Sequence, residues 1–194
     1  MHSSYAKHNY ADVFKAIVSA SQAAVCVELG VLEGYSTIAI ARALKENFEK
    51  GGSKGHLAAH DLFESYEFRN SPKDNTQKNI DEAGVSEFVT LYQANAMQVH
   101  DDYQDNSVHL LHVDLSNTGD IVRIIMEQWD RKMVQGGIIL FEGGTEERDQ
   151  VEWMVKYGKT PIKPELDSNP IINEKYVYAT YMRFPGLTHL LKKR

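Results

Sequence analysis

Apolar residues in this chain change period repeatedly, and each change predicts a switch between strand and helix. Val13, Phe14, Ile17 and Val18 recur at helical spacing, which predicts an amphipathic helix ahead of the first strand. The apolar run Ala23 to Val27 is too short for a helix and suits a buried parallel strand. Beyond a turn with two glycines, Ile38, Ala41, Leu44 and Phe48 return to helical spacing. His56 to Phe63 reads as a second strand and Phe88 to Tyr92 as a third. Between them Ser71 and Pro72 predict an N-cap and a first helical position, for a helix through Ile80 and Ala83 that Gly84 stops. Val108 to Asp114 is a fourth strand. Ile121, Ile125 and Trp129 then fall on one line flanked by Val122, Met126 and Met133, a helix that Gly136-Gly137 ends. Ile138 to Glu142 is a fifth strand, followed by a helix around Val151, Met154 and Val155 and a proline-containing loop from Pro161 to Pro170. Tyr176 to Phe184, the turn signal Pro185-Gly186 and Leu187 to Leu191 predict an antiparallel ending.

Strands alternating with helices predict an α/β protein, and 194 residues are enough to bury a core. No repeat or second domain is visible; residues 1–22 read as an N-terminal helical segment and 23–194 as one domain. A formal net charge of −6 argues against a protein whose main task is gripping phosphate backbones, so no nucleic-acid partner is expected. No apolar run is long enough to span a bilayer, and residues 1–10 lack a hydrophobic signal core. The single cysteine, Cys26, cannot form an internal disulfide and reads as a packed strand residue, which suits a cytoplasmic protein.

Candidate chemistry collects at the strand ends, where α/β sheets place it. Glu28, Asp61, Asn95, Asp114 and Glu142 each close or follow a strand of their own. The turn after the first strand reads Glu28-Leu29-Gly30-Val31-Leu32-Glu33-Gly34, without the third glycine of a dinucleotide fingerprint and without a P-loop lysine. Gly30 and Gly34 permit a tight turn and a close approach to a ligand. A carboxylate beside that turn repels a pyrophosphate and attracts an ammonium or sulfonium group. His109 and His112 point to opposite faces of their strand, which argues against a two-histidine metal site.

At Val27-Glu28-Leu29-Gly30 and Gly34-Tyr35-Ser36 the chain resembles the class I S-adenosylmethionine-dependent methyltransferases, especially small-molecule O-methyltransferases of the catechol type and their bacterial relatives. The resemblance implies a Rossmann-like, mostly parallel seven-stranded sheet with helices on both faces and a C-terminal antiparallel hairpin. It implies S-adenosylmethionine as cofactor, held by Glu28, Gly30, Gly34, Tyr35 and Ser36 at the turn, by Asp61 at the ribose, and by Asn95 and Ala96 at the adenine. Asn95 reads equally well as a structural turn residue. Tyr5, His8 and Tyr10 are either lid contacts or the start of a surface helix packed on the sheet. The catechol-type relatives use a magnesium site after strands four and five. Asp114 and Glu142 match its acids, but Gly143 stands where a third ligand belongs. That leaves a divalent metal such as Mg²⁺ open, with Asp114 or Glu142 as a metal-free base the alternative. The expected activity is O-methylation of a small-molecule acceptor; a homodimer is compatible with this. Its rivals are an NAD-dependent oxidoreductase and a catalytically silent domain that binds S-adenosylmethionine as a regulator.

Overall fold

The computed structural model describes residues 2–194. Seven strands, β1 (Val25–Leu29), β2 (His56–Asp61), β3 (Val89–Gln93), β4 (Val108–Val113), β5 (Met133–Glu142), β6 (Tyr176–Tyr181) and β7 (Leu187–Lys192), make one sheet in the order β3-β2-β1-β4-β5-β7-β6, mostly parallel and closed by an antiparallel hairpin. The chain divides into two compact units, one ending at Val99 and the other spanning His100–Arg194.

In the first unit, helix α1 (Tyr10–Ser21) precedes β1 (Val25–Leu29), α2 (Tyr35–Glu49), β2 (His56–Asp61), α3 (Lys73–Glu82) and β3 (Val89–Gln93). The three strands are parallel, with Leu29 opposite His60 and Asp61 opposite Gln93, so their carboxyl ends finish level. α1 buries Tyr10, Phe14, Ile17 and Val18, the face its periodicity predicts. Tyr5 is fully buried ahead of it, its ring edge-on to Phe14 at 5.2 Å and 5.4 Å from Tyr10, whereas His8 is exposed. The apolar stripe of α2 ends at Leu44: Phe48 is exposed, lying 6.3 Å from Phe88. Cys26 is buried, and burial pushes its thiol up to about 12, as expected of a packed and unreactive side chain. Helix α3 starts one residue later than the sequence suggests. Pro72 stands at the N-cap with extended backbone, and the Ser71 hydroxyl accepts from the Thr76 hydroxyl at 3.5 Å.

In the second unit, β4 (Val108–Val113) leads to α4 (Gly119–Trp129) and β5 (Met133–Glu142). Short helices α5 (Glu146–Asp149), α6 (Glu152–Lys156), α7 (Ile162–Ser168) and α8 (Pro170–Lys175) come before the hairpin β6 (Tyr176–Tyr181) and β7 (Leu187–Lys192). The Thr118 hydroxyl accepts from the Ile121 N–H and caps α4, which buries Val122, Ile125, Met126 and Trp129. The helix does not continue to Gly136-Gly137. It gives way to a 3₁₀ turn at Asp130–Lys132, and the two glycines lie inside β5. There β4 advances from Val108 to Leu110 while β5 advances from Met133 to Ile138, a bulge that Gly136 accommodates at φ +75°. The expected loop from Pro161 to Pro170 is mostly helical. Asp149 caps α7 by accepting from the Ile162 and Lys163 N–H groups at 2.7 and 2.9 Å, and Asn169 caps α8. β7 runs antiparallel to both β5 and β6, the expected ending. No helix among the described residues is long and apolar enough to cross a membrane.

Candidate active site

The turn between β1 and α2 is held on three sides within the first unit. Gly30 (φ +90°) donates its N–H to the His60 carbonyl at 2.9 Å, which anchors the turn to the end of β2. Asp61, the residue after His60, accepts from the Val31 and Leu32 N–H groups at 2.6 and 3.1 Å through Oδ2, and from Phe63 N–H at 2.7 Å through Oδ1. From α3, Thr76 donates its hydroxyl to the Leu32 carbonyl at 2.5 Å and Asn79 donates to the Glu33 carbonyl at 3.0 Å. Gly34 (φ +88°) then starts α2, and a Cβ there would lie 3.3 Å from the Thr76 methyl.

Glu28 lies behind this turn and not on its surface. It is fully buried, and its two oxygens accept from the Ser36 and Thr37 hydroxyls at 2.6 and 2.5 Å. The Glu28 carboxyl is thereby fixed under the first turn of α2, whose N-cap is Gly34. The half-buried Tyr35 accepts from the Ala11 N–H at 3.3 Å through its hydroxyl, tying α2 to α1. Asn95 is exposed and accepts from the Met97 N–H at 3.1 Å in an Asx turn; Ala96 is buried beside it. The preceding Ala94 donates to the Asp61 carbonyl at 2.9 Å. Glu28, Gly30, Gly34, Tyr35, Ser36, Asp61, Asn95 and Ala96 thus gather along the carboxyl ends of β1, β2 and β3. Thr76 and Asn79 join them, unforeseen in the sequence. Their only signal there is that Thr76 and Ile80 share one face of a polar helix.

In the second unit Asp114, half-buried, directly follows β4. Asn117 is fully buried and donates to the Val113 carbonyl at 2.9 Å and the Glu142 carbonyl at 3.0 Å, bracing the ends of β4 and β5 together. Glu142 is 5% exposed, and so is Arg148, whose Nε donates to both Glu142 oxygens at 2.9 and 3.1 Å. Burial pushes the Glu142 carboxyl above its ordinary range while the Arg148 guanidinium and His112 pull the other way. Arg148 carries no sequence signal; it follows Glu142 through a loop whose course only the fold sets.

A family model described as a methyltransferase domain matches residues 27–142, from β1 to the end of β5. The chain belongs to the methyltransferase domain family. The enzyme class follows with the family, and the resemblance read from the glycine turn is borne out. No curated protein matches the chain. Among solved structures, the O-methyltransferase TomG from Streptomyces achromogenes, involved in tomaymycin synthesis and in complex with SAM, is 16% identical. It has a TM-score of 0.69, over 96% of this chain and 80% of that one. SAH-bound methyltransferase PaMTH1 from Podospora anserina is 17% identical with a TM-score of 0.69, over 100% and 80%. A candidate rRNA methylase from Clostridium thermocellum is 16% identical with a TM-score of 0.63, over 100% and 98%. At such identities these likenesses show the fold alone.

The metal that the catechol-type resemblance implies does not fit this methyltransferase. The Glu142 carboxylate is already engaged by a buried guanidinium. Gly143, in the place of a third ligand, has φ +107°, and a Cβ on it would lie 2.6 Å from Ile162 Cδ1. Behind it the Thr188 hydroxyl donates to the Gly143 carbonyl at 2.9 Å and Gly143 N–H donates to Gly186, so the loop is pinned to the hairpin.

Proposed function

We propose that this methyltransferase moves the S-adenosylmethionine methyl group to an oxygen of a small-molecule acceptor. The carrying observation is the braced turn, in which two positive-φ glycines, the Asp61 carboxylate and the start of α2 stand together at the carboxyl ends of the strands. The N–H groups that open α2 suit the carboxylate of the methionine portion, since helix starts favour anions. Gly30 and Gly34 let the donor's chain approach the backbone closely. Glu28 acts from behind, holding Ser36 and Thr37 in place while adding negative potential near the sulfonium and ammonium. Asp61 has two oxygens with about four acceptor positions, of which three are used by N–H groups, leaving capacity for a ribose hydroxyl. The Asn95-Ala96 loop supports the adenine.

Methyl transfer from a sulfonium is an in-line displacement, so positioning supplies much of the rate. The acceptor oxygen attacks the methyl carbon as the carbon–sulfur bond breaks, and its proton has to leave. Asp114 is the base of choice, because Glu142 is buried and bonded to Arg148 whereas Asp114 is half-exposed. A small acceptor is favoured over RNA by the net charge of −6. Helix α1 is tied to α2 through the Ala11 N–H and the Tyr35 hydroxyl, which supports a fixed wall rather than a lid.

Calorimetric titration with S-adenosylhomocysteine, with NAD as control, tests the cofactor, and turnover of labelled S-adenosylmethionine over a panel of hydroxylated compounds tests the transfer. Micromolar binding of the nucleoside and none of NAD is expected. The reverse would end this reading, and nucleoside binding with no transfer to any acceptor would make the chain a regulator.

A further inference from the structure

Three residues at the carboxyl end of β5 are arranged against a divalent cation, each for its own reason. Both oxygens of Glu142 face Arg148 Nε, and neither partner is more than 6% exposed at its side chain. A metal ion approaching that carboxylate must displace a buried guanidinium of its own sign. A ligating side chain in place of Gly143 would be strained, because the backbone there has φ +107° and a Cβ would push on Ile162 Cδ1 at 2.6 Å. Arg148 is also held from the far side, its guanidinium carbon 5.1 Å from the centre of the Trp153 ring, a cation–π contact. Its Nη1 is buried with no hydrogen-bond partner, so Glu142 does not exhaust the donors of this guanidinium.

We infer that the Glu142–Arg148 pair is a built-in replacement for the metal: the guanidinium brings permanently the positive charge that a bound cation would bring to this carboxylate, and methyl transfer proceeds without a divalent ion. The second clause rests on the function proposed above; the first rests on the geometry alone. A divalent ion carries exchangeable positions on which two acceptor oxygens could sit at once. A guanidinium locked between a carboxylate and an indole has no exchangeable coordination positions and keeps only a hydrogen-bond donor at Nη1, so the acceptor need not present neighbouring hydroxyls.

The test is a Mn²⁺ titration of the whole chain followed by electron paramagnetic resonance, with melting curves alongside. Wild type is expected to leave the free-ion signal unchanged at millimolar Mn²⁺. Arg148→Ala uncovers Glu142 and should bind Mn²⁺ roughly tenfold more tightly than wild type or better, with a melting temperature that Mn²⁺ raises; adding Glu142→Gln should abolish both effects. If Arg148→Ala does not fold, Arg148→Gln keeps a donor to Glu142 without the charge and gives the same measurement. Mn²⁺ held by wild type and lost in Glu142→Gln would overturn the inference, as would an uncharged variant that gains no affinity. Turnover resistant to chelators is expected as well. Failure to bind S-adenosylhomocysteine would instead sink the methyltransferase reading and leave the Mn²⁺ result standing.

Discussion

Asp61 accepts three backbone N–H groups, two of them from a turn thirty residues earlier in the chain. Asp61→Asn keeps the shape but turns one oxygen into a donor that faces N–H groups. The expected loss is about 1–3 kcal/mol of stability, the cost of an unmatched partly buried group, together with weaker S-adenosylhomocysteine binding. Denaturant unfolding and calorimetry on the same variant check both, and unchanged affinity would remove Asp61 from the ligand site. That an acid stands here is legible, because it closes an apolar strand next to the glycine turn. Its backbone partners are not, since they depend on which way Val31 and Leu32 turn their N–H groups. The same limit hides Thr76 and Asn79, ordinary polar residues whose partners are carbonyls of a distant turn. Glu28 shows the reverse case: its charge is plain in the sequence, whereas its burial against Ser36 and Thr37 is a property of packing.

At the scale of elements, strands and the first helices follow their periodicity closely, and the errors fall where long-range bonds decide. Met133 continues the apolar line of α4, yet it begins β5, because Lys192 donates to the Asp130 and Met133 carbonyls and draws the chain into the sheet. The Asp130 carboxylate also bonds Lys175 at 2.6 Å and Tyr176 at 3.0 Å. Burial pushes that carboxyl up, but Lys175, Lys192 and Tyr176 together hold it below its ordinary value. A lowered carboxyl stabilises the fold above its unfolded pKa, about 3.9, and the contribution disappears as pH falls through the lower folded value. The stability gap between wild type and Asp130→Asn should therefore be constant at neutral pH and close only in strong acid; a gap that closes near pH 7 would contradict the assignment. The run from Pro161 to Pro170 looks like a loop because its prolines suppress helical signals. It becomes α7 through Asp149, thirteen residues before Ile162 and on another helix. Asp149→Ala removes that cap and should cost about 1–2 kcal/mol, measurable by denaturant unfolding, while a variant as stable as wild type would show that α7 holds by packing alone.

For the whole molecule, the fold says less about the acceptor than the charge does. The architecture is common, with 403 solved chains matching it. A fold alone does not fix an acceptor, so topology cannot separate a small acceptor from a nucleic acid. Electrostatics can. Each phosphate contact needs a cation, and here 27 acidic residues outnumber 21 lysines and arginines. Several of those cations are already committed inside the fold: Lys192 and Lys175 to Asp130, Lys132 to Asp105, Arg148 to Glu142. Both the acidic balance and these internal pairings favour the small acceptor proposed above over an RNA. Gel-shift titration against structured RNA at about 0.15 M salt should therefore show no complex at micromolar protein. Any retention seen at low salt should vanish steeply as salt rises. A complex that persists at physiological salt would mean that charge distribution overrides net charge here, and the acceptor would then have to be sought in RNA.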